Sequence, residues 1–259
     1  MRSALVVAML WSAQALAEEP HWANDEAHRW AEQATVLHKQ AQQEKSPKKY
    51  DEAHALYQQY LAKYPDINDG QLSFFDGELL YTLQRYDEAA KMYDRVLTIA
   101  PKGRYLYDAA NAYVIATKSA LAASSPDDGG APCPGTAPCP LSADAQRMVG
   151  AFDRYLAVVH EGGERPAMEY RRARIWYDYN HFSEAATLLD HIFATYPQHE
   201  LATYSANLEM DCLAILKRYA DLRALVERIK KSPAMRDETV RHQVEAMDAA
   251  LAKKAREAR

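Results

Sequence analysis

Alanine, aromatic and proline positions recur along the chain with the spacing of repeated helices. Tyr50-Asp51-Glu52-Ala53 returns as Tyr86-Asp87-Glu88-Ala89 after 36 residues, and a further shift of 96 residues carries the same frame to Phe182. Each copy places a small residue first and a large apolar residue one turn later, and it ends at proline, which cannot continue a helix. We therefore predict that each copy is one helix of a helical hairpin. The other matched positions are Tyr57, Leu61 and Pro65; Tyr93, Leu97 and Pro101; Glu184, Ala185, Ala186, Leu189, Ile192 and Pro197; and, with one residue of slippage, Tyr219, Leu222, Val226, Ile229 and Pro233.

The ends of these helices and of the whole array are also marked in the sequence. Ser46-Pro47 and Ser232-Pro233 each put a capping hydroxyl before a proline at the first helical position. About five units cover roughly residues 22 to 233. A last amphipathic helix is predicted behind them, because the final hairpin of a repeat stack otherwise exposes its apolar face. Its stripe is formed by Val240, Val244, Met247 and Leu251.

This spacing resembles the tetratricopeptide repeat (TPR) family, whose unit is about 34 residues long. In the second unit Gly77 matches the small residue of the family's first helix, and Ala89, Tyr93 and Pro101 match its second helix, while Ser73 stands at the usual tryptophan. The third unit keeps Tyr107 near that position but has Met148 where alanine is expected, and it lacks the terminal proline. The resemblance implies an all-α fold, a right-handed α-solenoid of about five hairpins with a C-terminal capping helix. The alternative is an irregular helical bundle whose repeat is coincidental.

The first seventeen residues have the pattern of a secretory signal peptide. Arg2 precedes an apolar run from Ala4 to Trp11, and the small residues Ala15 and Ala17 fit the A-x-A cleavage pattern. The apolar run is too short to span a bilayer, and no later segment is apolar enough to do so. We therefore predict cleavage after Ala17, a repeat domain over residues 18–259, and export to the periplasm. The alternative is a buried N-terminal helix.

A segment at about residues 123–142 is too rich in proline, glycine and serine for regular structure. It lies between the two helices of the third unit, so it is predicted to be a loop presented at the surface. Cys133 and Cys139 lie within it, and in an oxidising compartment a local disulfide between them is the simplest prediction. No histidine lies near enough to complete a zinc site, so no metal is expected. Cys212 lies on a predicted first helix and is interpreted as a lone small apolar residue.

Composition and motifs exclude several functions. A chain of 259 residues with 48 % hydrophobic and 26 % charged residues is an ordinary globular protein, and its net charge of -5 gives no field that would attract nucleic acid. Asp25-Glu26-Ala27-His28 and Asp51-Glu52-Ala53-His54 spell a helicase box, but no glycine-rich loop ending in Gly-Lys-Ser/Thr accompanies them, so both are interpreted as acidic helix starts. Glu161-Gly162-Gly163-Glu164 falls between two units and is predicted to be a solvated turn. No catalytic residue and no cofactor are predicted.

The resemblance implies that the first helices of the hairpins line a concave groove. Tyrosine and arginine are enriched at the energetic centres of interfaces, so a tyrosine-rich groove favours protein binding. We therefore expect a non-enzymatic adaptor that binds a peptide or helix of a cell-envelope protein, within a machine for outer-membrane assembly, secretion, pili, motility or division. The alternatives are an accessory subunit or enzyme of peptidoglycan metabolism and a carrier of small ligands. The predicted groove residues are His38, Phe74, Glu78, Tyr81, Tyr105, Asp108, Tyr170, Arg174, Tyr177, Asp178, Tyr204 and Asp211.

Overall fold

A computed structural model describes residues 25–65, 70–124 and 133–257 of the chain. The predicted signal peptide and its cleavage site lie outside the described residues. Within them the chain forms eleven α-helices and one short 3₁₀ helix, and no strand. The helices are α1 (Asp25–Glu44), α2 (Pro47–Lys63), α3 (Gln71–Thr82), α4 (Tyr86–Ile99), α5 (Leu106–Ser124), α6 (Ala143–Val158), α7 (Arg165–Asp178), α8 (Phe182–Thr195), α9 (Glu200–Ile215), α10 (Tyr219–Lys230) and α11 (Glu238–Glu257), with the 3₁₀ helix at Pro233–Arg236.

The helices pack in chain order. α1 to α10 form five consecutive pairs, each pair packs on the next, and α7 also contacts α9. The last helix, α11, packs on α10, on α9 and on the 3₁₀ helix, and its Val240, Val244 and Leu251 are buried there. The described chain is therefore an all-α stack of helical hairpins with a C-terminal capping helix, as the repeat pattern predicts.

The repeated residues occupy equivalent places in the packing. Ala53, Ala89 and Ala185 have no exposed surface, because each second helix packs closely against its partner at that point. Tyr57 and Tyr93, one turn later, are buried as well. In the third pair Met148 is half-buried at the alanine position, and the connection from α6 to α7 includes Gly162 and Gly163 in place of a terminal proline.

Four of the five hairpins turn through a residue with positive φ that is not glycine. These residues are Lys45, Gln84, Asn180 and Lys217, with φ between 50° and 61°. In each turn the next amide donates to the carbonyl five residues back, as His181 N does to Trp176 O over 2.9 Å. This hydrogen bond is the six-to-one bond that ends a helix in a left-handed cap. The third hairpin differs, because its turn is replaced by the long connection between α5 and α6.

Two details differ from the sequence-based expectations. Ser232 caps a helix that begins at Pro233, as predicted, but this helix is a four-residue 3₁₀ helix. The helix α11 begins after Asp237, whose Oδ1 accepts a hydrogen bond from Val240 N at 3.1 Å. The tetrapeptide at Asp51 does not begin a helix, because Pro47 already starts α2 one turn earlier. The one at Asp25 lies in the first described turn of α1.

The hydrophobic core consists of two clusters that meet in α7. One cluster runs from α1 to Met168, and the other runs from Ala173 to α11. Glu169 lies between them on α7 and is buried, with its Oε1 2.9 Å from Arg165 Nε and 3.2 Å from the Tyr196 hydroxyl, which donates to it. The junction of the two clusters is therefore polar.

Candidate functional site

Six of the predicted groove residues lie together on the neighbouring first helices α7 and α9. Tyr170 on α7 and Tyr204 on α9 have ring centroids 6.5 Å apart, and Tyr204 is 52 % exposed. The Arg174 guanidinium lies 5.6 Å from the centroid of the Tyr177 ring. We call this set the α7–α9 surface; its members are Tyr170, Arg174, Tyr177, Asp178, Tyr204 and Asp211.

Charges within the α7–α9 surface are paired at short range. Arg174 Nε donates to Asp178 Oδ1 at 2.7 Å, and this hydrogen bond raises the pKa of the guanidinium. Asp211 Oδ1 accepts from Gln243 Nε2 of α11 at 2.9 Å, and burial raises the pKa of Asp211. Burial also raises the pKa of Tyr177, helped by the charge of Asp211. The surface therefore presents tyrosine rings with polar hydroxyl groups, beside an arginine that is held in place by an aspartate of its own helix.

Three other predicted groove residues are buried. Phe74 and Tyr105 are 7 % and 8 % exposed, and their rings stack on each other with centroids 4.8 Å apart. His38 is 6 % exposed and its Nδ1 lies 3.2 Å from the Tyr57 hydroxyl. These side chains fill the space between helices, so they present no free surface to a ligand in this arrangement.

The remaining predicted residues lie on α3 and α5. The Tyr93 hydroxyl donates to Glu78 Oε1 at 2.6 Å, and burial raises the pKa of Glu78. The Tyr81 hydroxyl lies 3.2 Å from Ser119 Oγ of α5. Asp108 is exposed on α5. Within the described residues the predicted groove is thus divided: His38, Phe74 and Tyr105 are closed off by packing, whereas the residues on α7 and α9 are half-buried or exposed.

The disulfide prediction is confirmed, since Cys133 and Cys139 are bonded with their Cα atoms 5.8 Å apart. Cys212 is a free, buried cysteine on α9, and burial raises the pKa of its thiol to about 12. A thiol of that pKa is inert at neutral pH. Among the described residues, no group of histidine, cysteine and acidic side chains could hold a metal ion. None of the helices described is both long and apolar enough to cross a membrane.

Two features of the structure were not predicted from the sequence. A pocket of about 440 Å³ lies between α1 and α2, and its lining residues are Arg29, Glu32, Gln33, Val36, Leu37, Gln40 and Leu56. The second feature is Asn180, which is 9 % exposed and binds the loop that carries the disulfide. Asparagine tolerates positive φ, and its side-chain amide nitrogen can donate two hydrogen bonds. An asparagine in a predicted turn between helices was therefore the sequence signal that could have indicated this contact.

Comparison with solved structures finds similar chains at low sequence identity. The MamA protein aligns over 83 % of this chain and 96 % of its own, with 10 % identity and a TM-score of 0.44. BtubC from P. vanneervenii aligns over 80 % and 85 %, with 16 % identity and a TM-score of 0.39. TTC0263, a thermophilic TPR protein of Thermus thermophilus, aligns over 83 % and 98 %, with 11 % identity and a TM-score of 0.36. No protein-family model and no curated protein matches the sequence.

The fold follows from the chain's own features. Its helices stack pair by pair, its alanine and aromatic positions repeat in the packing, and four turns share one backbone conformation. Together these features describe a TPR-like stack of helical hairpins.

Proposed function

We propose that this protein is a non-enzymatic scaffold that binds a peptide or helix of a partner protein on the α7–α9 surface. The observation that carries the proposal is the cluster of tyrosines and Arg174 on two adjacent first helices, where Tyr204 remains half-exposed. Tyrosine offers a large contact area at a small cost in side-chain entropy, and its hydroxyl tolerates partial hydration. These side chains lie at the edge of the core, so a partner can contact them without opening the helix pairs.

We further propose that the partner is a cell-envelope protein and that the scaffold works in the periplasm. Support comes from the pattern of residues 1–17 and from the Cys133–Cys139 disulfide, since disulfides persist in oxidising compartments. The machine in which such an adaptor would serve is one of outer-membrane assembly, secretion, pilus formation, motility or division. If export occurs as proposed, N-terminal sequencing of the mature chain reads Glu-Glu-Pro.

Site-specific photo-crosslinking in cells that export the protein tests the proposal. A photoreactive residue at Tyr204 should form an adduct with a discrete envelope protein, whereas the same residue at the exposed Thr187 of α8 should not. Arg174→Ala should reduce the adduct at position 204 about tenfold, which corresponds to about 1.4 kcal/mol for one interface arginine. Arg223→Ala, which removes an exposed arginine on α10, is the matched control.

Two outcomes would contradict the proposal. Equal adducts at positions 204 and 187 would show nonspecific contact. Equal effects of Arg174→Ala and Arg223→Ala would show that the α7–α9 surface is not the binding site.

A further inference from the structure

The described part of the connection between α5 and α6 is fastened to the next hairpin. We call residues 133–142 the strap; the disulfide closes its first seven residues into a ring, and Cys133 is buried. At its other end Ser142 accepts a hydrogen bond from Ala145 N at 3.1 Å and so caps α6. The strap is therefore continuous with the first hydrophobic cluster, to which α6 belongs.

Three consecutive residues of the turn between α7 and α8 hold the strap. Asn180 Nδ2 donates to the carbonyls of Gly135 and Ala137, both at 3.0 Å. His181 Nε2 donates to Cys139 O at 2.9 Å, and Cys139 N donates to Tyr179 O at 3.2 Å. The Tyr179 hydroxyl donates to Ser142 Oγ at 2.7 Å. Because these acceptors lie inside or beside the disulfide ring, the ring fixes their spacing.

The turn at Asn180 differs from the equivalent turns in one respect. The residues at the same position of the other hairpins, Lys45, Gln84 and Lys217, share its positive φ, but their side chains are exposed. Asn180 is buried, and its amide is fully used as a donor to the strap. The backbone geometry of this turn is thus common to the repeats, whereas the attachment of the strap depends on the Asn180 side chain.

The strap joins the two hydrophobic clusters, because it leads into α6 of the first cluster and is hydrogen-bonded to the turn between α7 and α8. The polar junction at Glu169 lies at the other end of the contact between α6 and α7, about 16 Å along α7 from Asn180. On the α6 side of this junction, Arg172 Nε lies 2.6 Å from Asp153 Oδ1, and Arg165 donates to the carbonyl of Leu156 at 3.1 Å. A pocket of about 180 Å³ opens there, lined in part by Glu169 and His191. Sub-global opening is expected where few apolar contacts are buried, so we expect it at this contact, which contains an ion pair and a pocket.

We propose that the strap is a redox-dependent clamp that holds the turn between α7 and α8, and with it α7–α11, against the start of α6. With the disulfide closed, the carbonyls of Gly135, Ala137 and Cys139 are presented together to Asn180 and His181. A dithiol reductant opens the clamp: one of its thiolates attacks a strap sulfur, the second thiol resolves the mixed disulfide, and the reductant leaves as a disulfide. Two electrons and two protons pass to the protein, and Cys133 and Cys139 become thiols. The ten-residue segment then regains conformational freedom, and its hydrogen bonds to the turn weaken.

Amide hydrogen exchange of the full chain, followed by mass spectrometry, tests this clamp. Treatment with dithiothreitol should accelerate exchange about tenfold in peptides covering residues 133–142 and the turn at 176–182, and to a smaller extent at the start of α7. Peptides of α1 to α4 should not change. Cys133→Ser/Cys139→Ser should reproduce the reduced pattern without reductant, which separates loss of the disulfide from other effects of dithiothreitol.

Two glycine variants distinguish a strap that holds the α7–α8 turn from a loop whose disulfide affects only the loop itself. Asn180→Gly keeps the positive φ and removes both donors, so the oxidised variant should exchange at the turn as fast as the reduced parent. Lys217→Gly makes the same backbone change in a hairpin without a strap, and its turn should exchange at or below the parent rate. The clamp is refuted if reduction accelerates exchange only within residues 133–142. It is also refuted if reduction accelerates every helix equally, or if Asn180→Gly behaves like Lys217→Gly.

Discussion

Gly77 is the position at which the hairpin packing can be tested most directly. It lies inside α3, and a Cβ atom built on it would lie 2.6 Å from Cε1 and 2.9 Å from Cδ1 of Tyr93. The Tyr93 ring has little room to move, since it is buried, packs on Phe74 with centroids 5.8 Å apart, and donates its hydroxyl to Glu78. Gly77→Ala therefore forces a buried ring out of its place.

Two opposing terms set the magnitude of this effect. Replacing glycine by alanine inside a helix raises the free energy of unfolding by about 1 kcal/mol, because alanine has the higher helix propensity. Overpacking a well-filled core costs about 1–3 kcal/mol. We therefore expect Gly77→Ala to destabilise the protein by about 1 kcal/mol.

Gly150 of α6 is the matched control, because it is also helical but exposed, and a Cβ atom there meets nothing within 4 Å. Gly150→Ala should show only the gain, so the two variants should differ by about 2 kcal/mol. Urea unfolding followed by circular dichroism measures both. In a Tyr93→Leu background, Gly77→Ala should become stabilising. If Gly77→Ala stabilises the parent as much as Gly150→Ala does, the packing of Tyr93 on Gly77 is wrong.

Two further predictions concern buried titratable groups. Burial, assisted by the charge of Asp190, raises the pKa of Glu209 to about 8, so the folded state binds more protons than the unfolded state between pH 4.5 and 8 and loses stability as the pH rises through that range. Glu209→Gln should therefore be more stable than the parent at pH 8 by several kcal/mol, and this advantage should vanish near pH 4 in urea titrations at each pH. Burial lowers the pKa of His38 to about 4, so the unfolded state binds more protons than the folded state between pH 6.5 and 4. The free energy of unfolding should therefore fall by up to about 3 kcal/mol as the pH is lowered through this range. His38→Gln should flatten that acid limb, and an unchanged limb would show that His38 is protonated without cost.

Most of the fold could be predicted from the sequence because the residues that repeat are those that pack between the helices. Ala89 and Tyr93 lie where two helices approach each other, and their types are restricted by that approach. The strap attachment could not be predicted in the same way. It depends on the side chain of Asn180 reaching carbonyls more than 40 residues earlier in the chain, and carbonyls carry no sequence signal.

The candidate site shows a similar division. The helical period predicts on which side of a helix each side chain lies. On α7 and α9 this prediction selected six residues that lie on one surface. It does not give the distance between neighbouring first helices. Where that distance is short, as between Phe74 and Tyr105, large rings meet and fill the space themselves. The apolar sequence of α3, which is buried on nearly every side, was the sign of that closure.

The first helices of three hairpins carry a charged residue at one equivalent position, where each faces the preceding pair of helices. Asp76, Arg172 and Glu209 each lie eight residues before the positive-φ turn residue of their hairpin. The second helix of the preceding pair supplies complementary partners for two of them: His54 and Gln58 hydrogen-bond to Asp76, and Asp153 pairs with Arg172.

At the third of these positions the preceding helix, α8, presents Asp190, a charge of the same sign as ionised Glu209. Arg228 lies close enough to oppose that repulsion, but it is already bonded to Asp190 at 2.5 Å. Because burial and Asp190 raise the pKa of Glu209, we expect a proton on Glu209 to take the place of the partner that the other two repeats have. In the first hairpin the equivalent residue is Leu37, which has no preceding pair to contact among the described residues and lines the pocket between α1 and α2. The charge of the residue at this position thus depends on the side chains that the preceding helix places next to it. The same helix contact is made by hydrogen bonds to Asp76, by an ion pair of Arg172 and by a carboxyl group of Glu209 whose pKa is raised.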